Sequence, residues 1–87
     1  MRYRVTMKDL QGTVARINRI VGIADPKWNV PGSYTLDGAY GGWKLAQIVN
    51  EHGGQRDITS GYASRRECYE LMHAFIRGLE ASQGAER

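Results

Sequence analysis

Apolar residues recur at helical spacing near the start of the chain. Leu10, Val14, Ile17 and Val21 form the repeat, Met7 and Ile20 flank it, and Lys8, Arg16 and Arg19 fall on the other side. This pattern predicts an amphipathic helix with a basic outer face. Thr6 and Asp9 stand in the Ser/Thr-x-x-acid arrangement that caps a helix start, although Glu is the favoured acid there. Gly22 marks the stop, because a residue without Cβ enters the left-handed region freely. Gly12, inside the helix, costs ~1 kcal/mol relative to alanine. A second stripe of Cys68, Leu71, Met72, Phe75, Ile76 and Leu79 follows the capping pair Ser64 and Glu67 and predicts a C-terminal helix. Arg66 and Glu70 lie one turn apart on its outer side. A short strand is expected over residues 2–5.

Between the helices the period changes to two. Residues 34–49 read as an antiparallel hairpin turned at Gly41-Gly42, since consecutive glycines supply the positive φ values of a type I′ turn. That turn sets Tyr40 opposite Trp43, Gly38 opposite Leu45, Leu36 opposite Gln47 and Tyr34 opposite Val49, on one mostly apolar side. The other side carries Thr35, Asp37, Ala39, Lys44, Ala46 and Ile48, with Lys44 diagonal to Asp37. Asn50-Glu51-His52-Gly53-Gly54 is a second turn, and residues 55–59 return as a third short strand. The loop over residues 23–32 holds Asp25-Pro26, Pro31-Gly32 and Trp28, which serves either as a lid over the core or as a stacking surface.

The expected fold class is therefore α+β: a small antiparallel β-meander packed against two α-helices in the order β-α-β-β-β-α. Residues 1–81 form one domain and residues 82–87 a frayed tail. A rival reading makes a short helix of Leu45, Ile48 and Val49 and a phosphate-cradling loop of the glycines before it. The P-loop pattern needs G-x-x-x-x-G-K followed by Ser or Thr, whereas here Trp43 precedes Lys44 and Leu45 follows it.

Composition bounds this picture. A chain of 87 residues buries only roughly 60–65% of its unfolded surface, so a homo-oligomer is expected to supplement its core. At 41% hydrophobic and 24% charged residues the chain is of ordinary globular type and should fold. A single cysteine requires no oxidising compartment, and no apolar run suggests a signal peptide or a bilayer span. A cytoplasmic location is the expectation. The net charge of +3 is concentrated early, where Arg2, Arg4, Lys8, Arg16 and Arg19 face Asp9 alone. This is sparse for a nucleic-acid-binding surface.

The residues carry no recognisable catalytic set, and the protein is read as a non-enzyme. His52, His73 and Cys68 cannot supply the convergent ligands of a usual zinc site, and no metal or cofactor is expected. Both histidines read as surface residues and Cys68 as buried. No nucleophile stands in a G-x-S-x-G turn. Asp37 could meet Asp57 or Glu51 in space, but their spacing does not demand it. What remains is a recognition surface of Asp37, Tyr40, Gly41, Gly42, Trp43 and Lys44, with contributions from Arg16, Asn18, Arg56 and Arg66. Aromatic rings stack on bases and cations hold phosphates. The alternative is that the aromatics are core and the cations are solvated.

Arg16-Ile17-Asn18, the run from Tyr34 through Ala39-Tyr40-Gly41-Gly42 to Leu45, and Arg66-Glu67-Cys68-Tyr69-Glu70-Leu71-Met72-His73-Ala74-Phe75 together resemble a group of small phage and prophage proteins with an AYGG hairpin. The resemblance spans most of the chain and carries no defined activity. It implies a phage accessory protein that works by binding in the host cytosol. One expectation is an anti-defence sponge that sequesters a nucleotide-derived immune signal, with Tyr40 or Trp43 on the base and Lys44 with an arginine on phosphate. The alternatives are direct inhibition of a host defence protein and, less favoured, nucleic-acid binding through Lys8, Arg16 and Arg19.

Overall fold

A computed structural model of the chain describes residues 4–24 and 29–85. Helix α1 spans Met7–Ile20 and opens with the expected box. The Asp9 N–H donates to Thr6 Oγ1 (3.2 Å) and the Thr6 N–H donates to Asp9 Oδ2 (2.8 Å). Val5 and Leu10 occupy the staple positions on either side of that cap, and both are buried in the core. Val5 is thus committed to the helix entry. Arg4 and Val5 lie in no strand, and the rest of the strand expected at residues 2–5 lies outside the described residues, as does Trp28. At the other end Gly22, at φ +86°, donates to Arg19 O (3.1 Å) while Ile23 donates to Asn18 O (2.8 Å). This pair of bonds is a Schellman stop.

Three strands follow: β1 (Tyr34–Ala39), β2 (Gly42–Ile48) and β3 (Gln55–Asp57), antiparallel in the order β1-β2-β3. Helix α2 (Arg65–Ala85) follows, so the element order among the described residues is α-β-β-β-α. It starts at Ser64, whose Oγ accepts from the Glu67 N–H (3.2 Å). It continues through residues 82–85, which were expected to fray, while residues 86–87 lie outside the description. Both helices pack on one face of the sheet, around a core of Leu10, Val14, Ile17, Leu45, Met72 and Ile76. Leu71 departs from its expected place in the apolar stripe. Cys68, Met72 and Ile76 define the buried line of α2, and Leu71 lies beside it, 44% exposed.

The hairpin is one of the elements expected, but its register differs. The turn closes on Tyr40 (φ 53°) and Gly41 (φ 73°), and the pairs are Leu36 with Leu45, Asp37 with Lys44, Gly38 with Trp43 and Ala39 with Gly42. Gly42 is drawn into β2 because the chain after β3 crosses it. A Cβ on Gly42 would stand 2.9 Å from Tyr62 Cβ and 3.2 Å from both the N and O atoms of Ala63. Trp43 and Ala63 exchange main-chain bonds of 2.8 and 2.9 Å at this crossing. Glycine is therefore needed at 42, and Tyr40 takes a left-handed conformation that costs an ordinary residue ~1–2 kcal/mol.

Every partner moves by two residues, so side-chain parity is kept. Leu36, Trp43 and Leu45 face the helices, and Asp37 and Lys44 share the outer face. That outer face is not open along its whole length. Ala46 and Ile48 are fully buried, which leaves exposure to the hairpin end.

In α1, a Cβ on Gly12 would meet nothing within 4 Å. Gly12→Ala should therefore raise unfolding stability by ~0.5–1 kcal/mol, read as a higher urea midpoint at unchanged slope. A lower midpoint would show that the glycine is required for packing.

Candidate functional site

The outer hairpin face gathers one side chain from each strand and one from the segment beyond. Asp37 on β1 lies directly across from Lys44 on β2, and Asp57 on β3 pairs with Ala46, so it projects beside Lys44. Lys44 Nζ is 2.8 Å from Asp57 Oδ1 and 3.8 Å from Asp37 Oδ2, and its side chain is 14% exposed. After β3 the chain leaves the ladder. Ile58 and Thr59 both donate their N–H groups to Leu45 O, and the Leu45 N–H donates to Thr59 Oγ1 (3.1 Å). Gly61, at φ +70°, then returns it to β2. This detour lays Tyr62 across Gly42. Its hydroxyl donates to Asp37 Oδ2 (3.0 Å), and the Lys44 ammonium stands 4.5 Å from its ring centroid. Tyr40 meets that ring edge-on, with centroids 5.6 Å apart.

Two carboxylates therefore surround one ammonium, and the cluster is net acidic on a chain of net charge +3. The hydrogen bond to Asp57 raises the Lys44 pKa above 10.5, against an opposing effect of desolvation and with further support from Tyr62. The amine is held protonated and is not an activated nucleophile. Burial pushes the Cys68 thiol up as well, away from the thiolate form. Aromatic surface and carboxylate are what the face offers. Tyr40 is 96% exposed and the Asp57 side chain 54%.

The residues expected to act together do not all meet. Asp37, Tyr40, Gly41, Gly42 and Lys44 meet at the hairpin end, with Asp57 and Tyr62 completing the cluster. Trp43 lies on the opposite face, packed against the core and over Gly38. The cations are dispersed. Arg16 pairs with Glu80 (3.4 Å) between the helices, Arg66 lies 3.9 Å from Glu70 on α2, and Arg56 Nε donates to Gln47 Oε1 (2.9 Å) on the helix side of the sheet. Asn18 is fully buried. Its Nδ2 donates to Tyr34 O (3.0 Å) and its Oδ1 accepts from the Tyr34 N–H (2.7 Å), so the side chain stands in for a neighbouring strand.

Tyr62 does not stand out in the sequence as a site residue. The usable signal was Ser60-Gly61, a turn that sends the next residue back to the hairpin.

His73, expected at the surface, is half-buried against Tyr69, with ring centroids 4.3 Å apart, and its Nε2 is shielded without a hydrogen-bond partner. Burial lowers its pKa below 6.5, and the positive charges of Arg16 and Arg77 add to the effect. Its contribution to stability is therefore complete above pH 6.5 and is lost as pH falls through the depressed folded-state value. His73→Phe should flatten the acid side of a melting-temperature profile below that pH. An unchanged slope would assign the acid sensitivity to carboxylates instead.

No helix among the described residues is long and apolar enough to cross a membrane. No protein-family model matches the chain, and no curated protein and no solved structure matches it significantly.

Proposed function

We propose that this protein acts by binding rather than catalysis, as a phage-type accessory protein whose outer hairpin face engages a host protein. The observation that carries the reading is Tyr40. A bulky aromatic residue holds a left-handed backbone at the hairpin tip and leaves its ring 96% exposed, where asparagine or glycine would fit without strain. Strain of this kind persists at sites under functional constraint, and tyrosine is a favoured anchor at protein interfaces.

The acidic surroundings favour a polypeptide over a nucleotide. Lys44 is already neutralised by two carboxylates, and Arg16, Arg56 and Arg66 lie elsewhere, so a phosphate placed here would meet Asp37 and Asp57 first.

The test compares wild type with Tyr40→Asn. The variant should be no less stable, since the ring covers little surface and asparagine tolerates the turn, yet it should lose a host protein that co-purifies stoichiometrically with wild type. A concentration-dependent thermal shift with cyclic or ADP-ribose-type nucleotides, and no retained protein, would overturn this reading in favour of the nucleotide sponge.

A further inference from the structure

Asn18 reveals which main-chain groups of β1 point away from β2. It takes the outward N–H and C=O of Tyr34, and alternation along a strand gives Leu36 and Gly38 the same direction. Thr35, Asp37 and Ala39 instead bond inward, opposite Ala46, Lys44 and Gly42. β1 is an edge of the sheet, and among the described residues the outward groups of Leu36 and Gly38 have no partner. The open stretch is bounded by the Asn18 amide at one end and by the Tyr40-Gly41 turn at the other.

We propose that this edge accepts an extended polypeptide segment by antiparallel strand addition, and that the segment bears a lysine or arginine opposite Asp37. Leu36 and Gly38 supply two donors and two acceptors in register for the residues flanking that cation. Directly opposed residues share a face, so the cation lies on the outer face, where Asp37 is 34% exposed and bonded to Tyr62. The exposed ring of Tyr40 lies beyond the end of the open stretch, where a second cation could meet it.

Charge selects this occupant. A second copy of the chain pairing symmetrically about Asp37 would oppose two aspartates, which is destabilising, whereas a basic segment meets the acidic cluster with opposite charge. The inference rests on the binding-protein reading above and adds how the target is held.

The experiment uses the full chain, isotopically labelled, titrated with synthetic eight-residue peptides of alternating threonine and valine. One carries a central lysine, one a central glutamate, and one the lysine with both flanking residues N-methylated. At millimolar concentration the lysine peptide should shift the amide resonances of Leu36 and Gly38 and slow their solvent exchange. It should bind roughly three- to tenfold more tightly than the glutamate peptide, and the N-methylated peptide should not shift these amides. Asp37→Asn should erase most of the charge preference while leaving strand pairing in place. Shifts located elsewhere, equal response to the N-methylated peptide, no shift at all, or contacts from the protein's own residues 1–4 to these amides without peptide would each overturn the inference. Failure here with Tyr40-dependent capture of a host protein intact would leave the binding-protein reading standing.

Discussion

Asn18→Ala is expected to destabilise the fold by ~2–4 kcal/mol, the cost of leaving two partly buried main-chain groups without partners. The side chain is fully buried, and both of its polar atoms are committed to Tyr34, one as donor and one as acceptor. Alanine cannot replace either bond. Asn18→Asp would not rescue the site, because a carboxylate can accept from the Tyr34 N–H but cannot donate to its carbonyl, and it would bring a charge into the interior. For a domain of this size the loss corresponds to a melting temperature lower by on the order of 10–20 °C. A change under ~1 kcal/mol would mean that water or a local shift replaces the amide. The same residue joins α1 to the start of β1, so fast hydrogen exchange at Tyr34 in the variant would locate the damage.

The second large effect is expected at Gly38. Trp43 lies directly across from it and lays its ring over the glycine, so an added Cβ would stand 2.6 Å from Trp43 Cε3. Gly38→Ala forces the indole out of its place against the core, and overpacking of this kind costs ~1–3 kcal/mol, with part of the aromatic burial lost as well. A double-mutant cycle separates this clash from any intrinsic preference of the strand. In a Trp43→Leu background the alanine should cost close to nothing, because the ring it strikes is gone and glycine is a poor strand former in any case. Equal cost in both backgrounds would place the requirement in the backbone rather than in the ring. Trp43, expected to stack on a base or lie in the core, thus has a structural task that glycine makes possible.

Much of the local structure was legible. The helix periodicities, the caps at Thr6 and Ser64, the stop at Gly22 and the turn at Asn50 depend on contacts within a few residues, and the chain states these directly. The two faces of the hairpin were also legible, because parity survives any shift of an even number of residues. Asp37 and Lys44 were correctly placed on one side, and as directly opposed residues they are closer than the expected diagonal.

What the chain did not disclose depends on segments distant in sequence. Two glycines at 41 and 42 are locally the cheapest turn, but Tyr62 and Ala63 require the second of them for close approach, which moves the turn to Tyr40-Gly41. The same crossing brings Tyr62 onto Asp37, and β3 brings Asp57 onto Lys44. A surface that reads as cationic and aromatic along the sequence becomes acidic and aromatic in three dimensions. Asn18 likewise reads as a contributor to the recognition surface, and only the arrival of Tyr34 beside it makes its amide part of the sheet. Local preference sets each element, with energies near ~1 kcal/mol. Steric exclusion and charge neutralisation between elements are at least as large, and at the hairpin tip they decided which residues were left exposed.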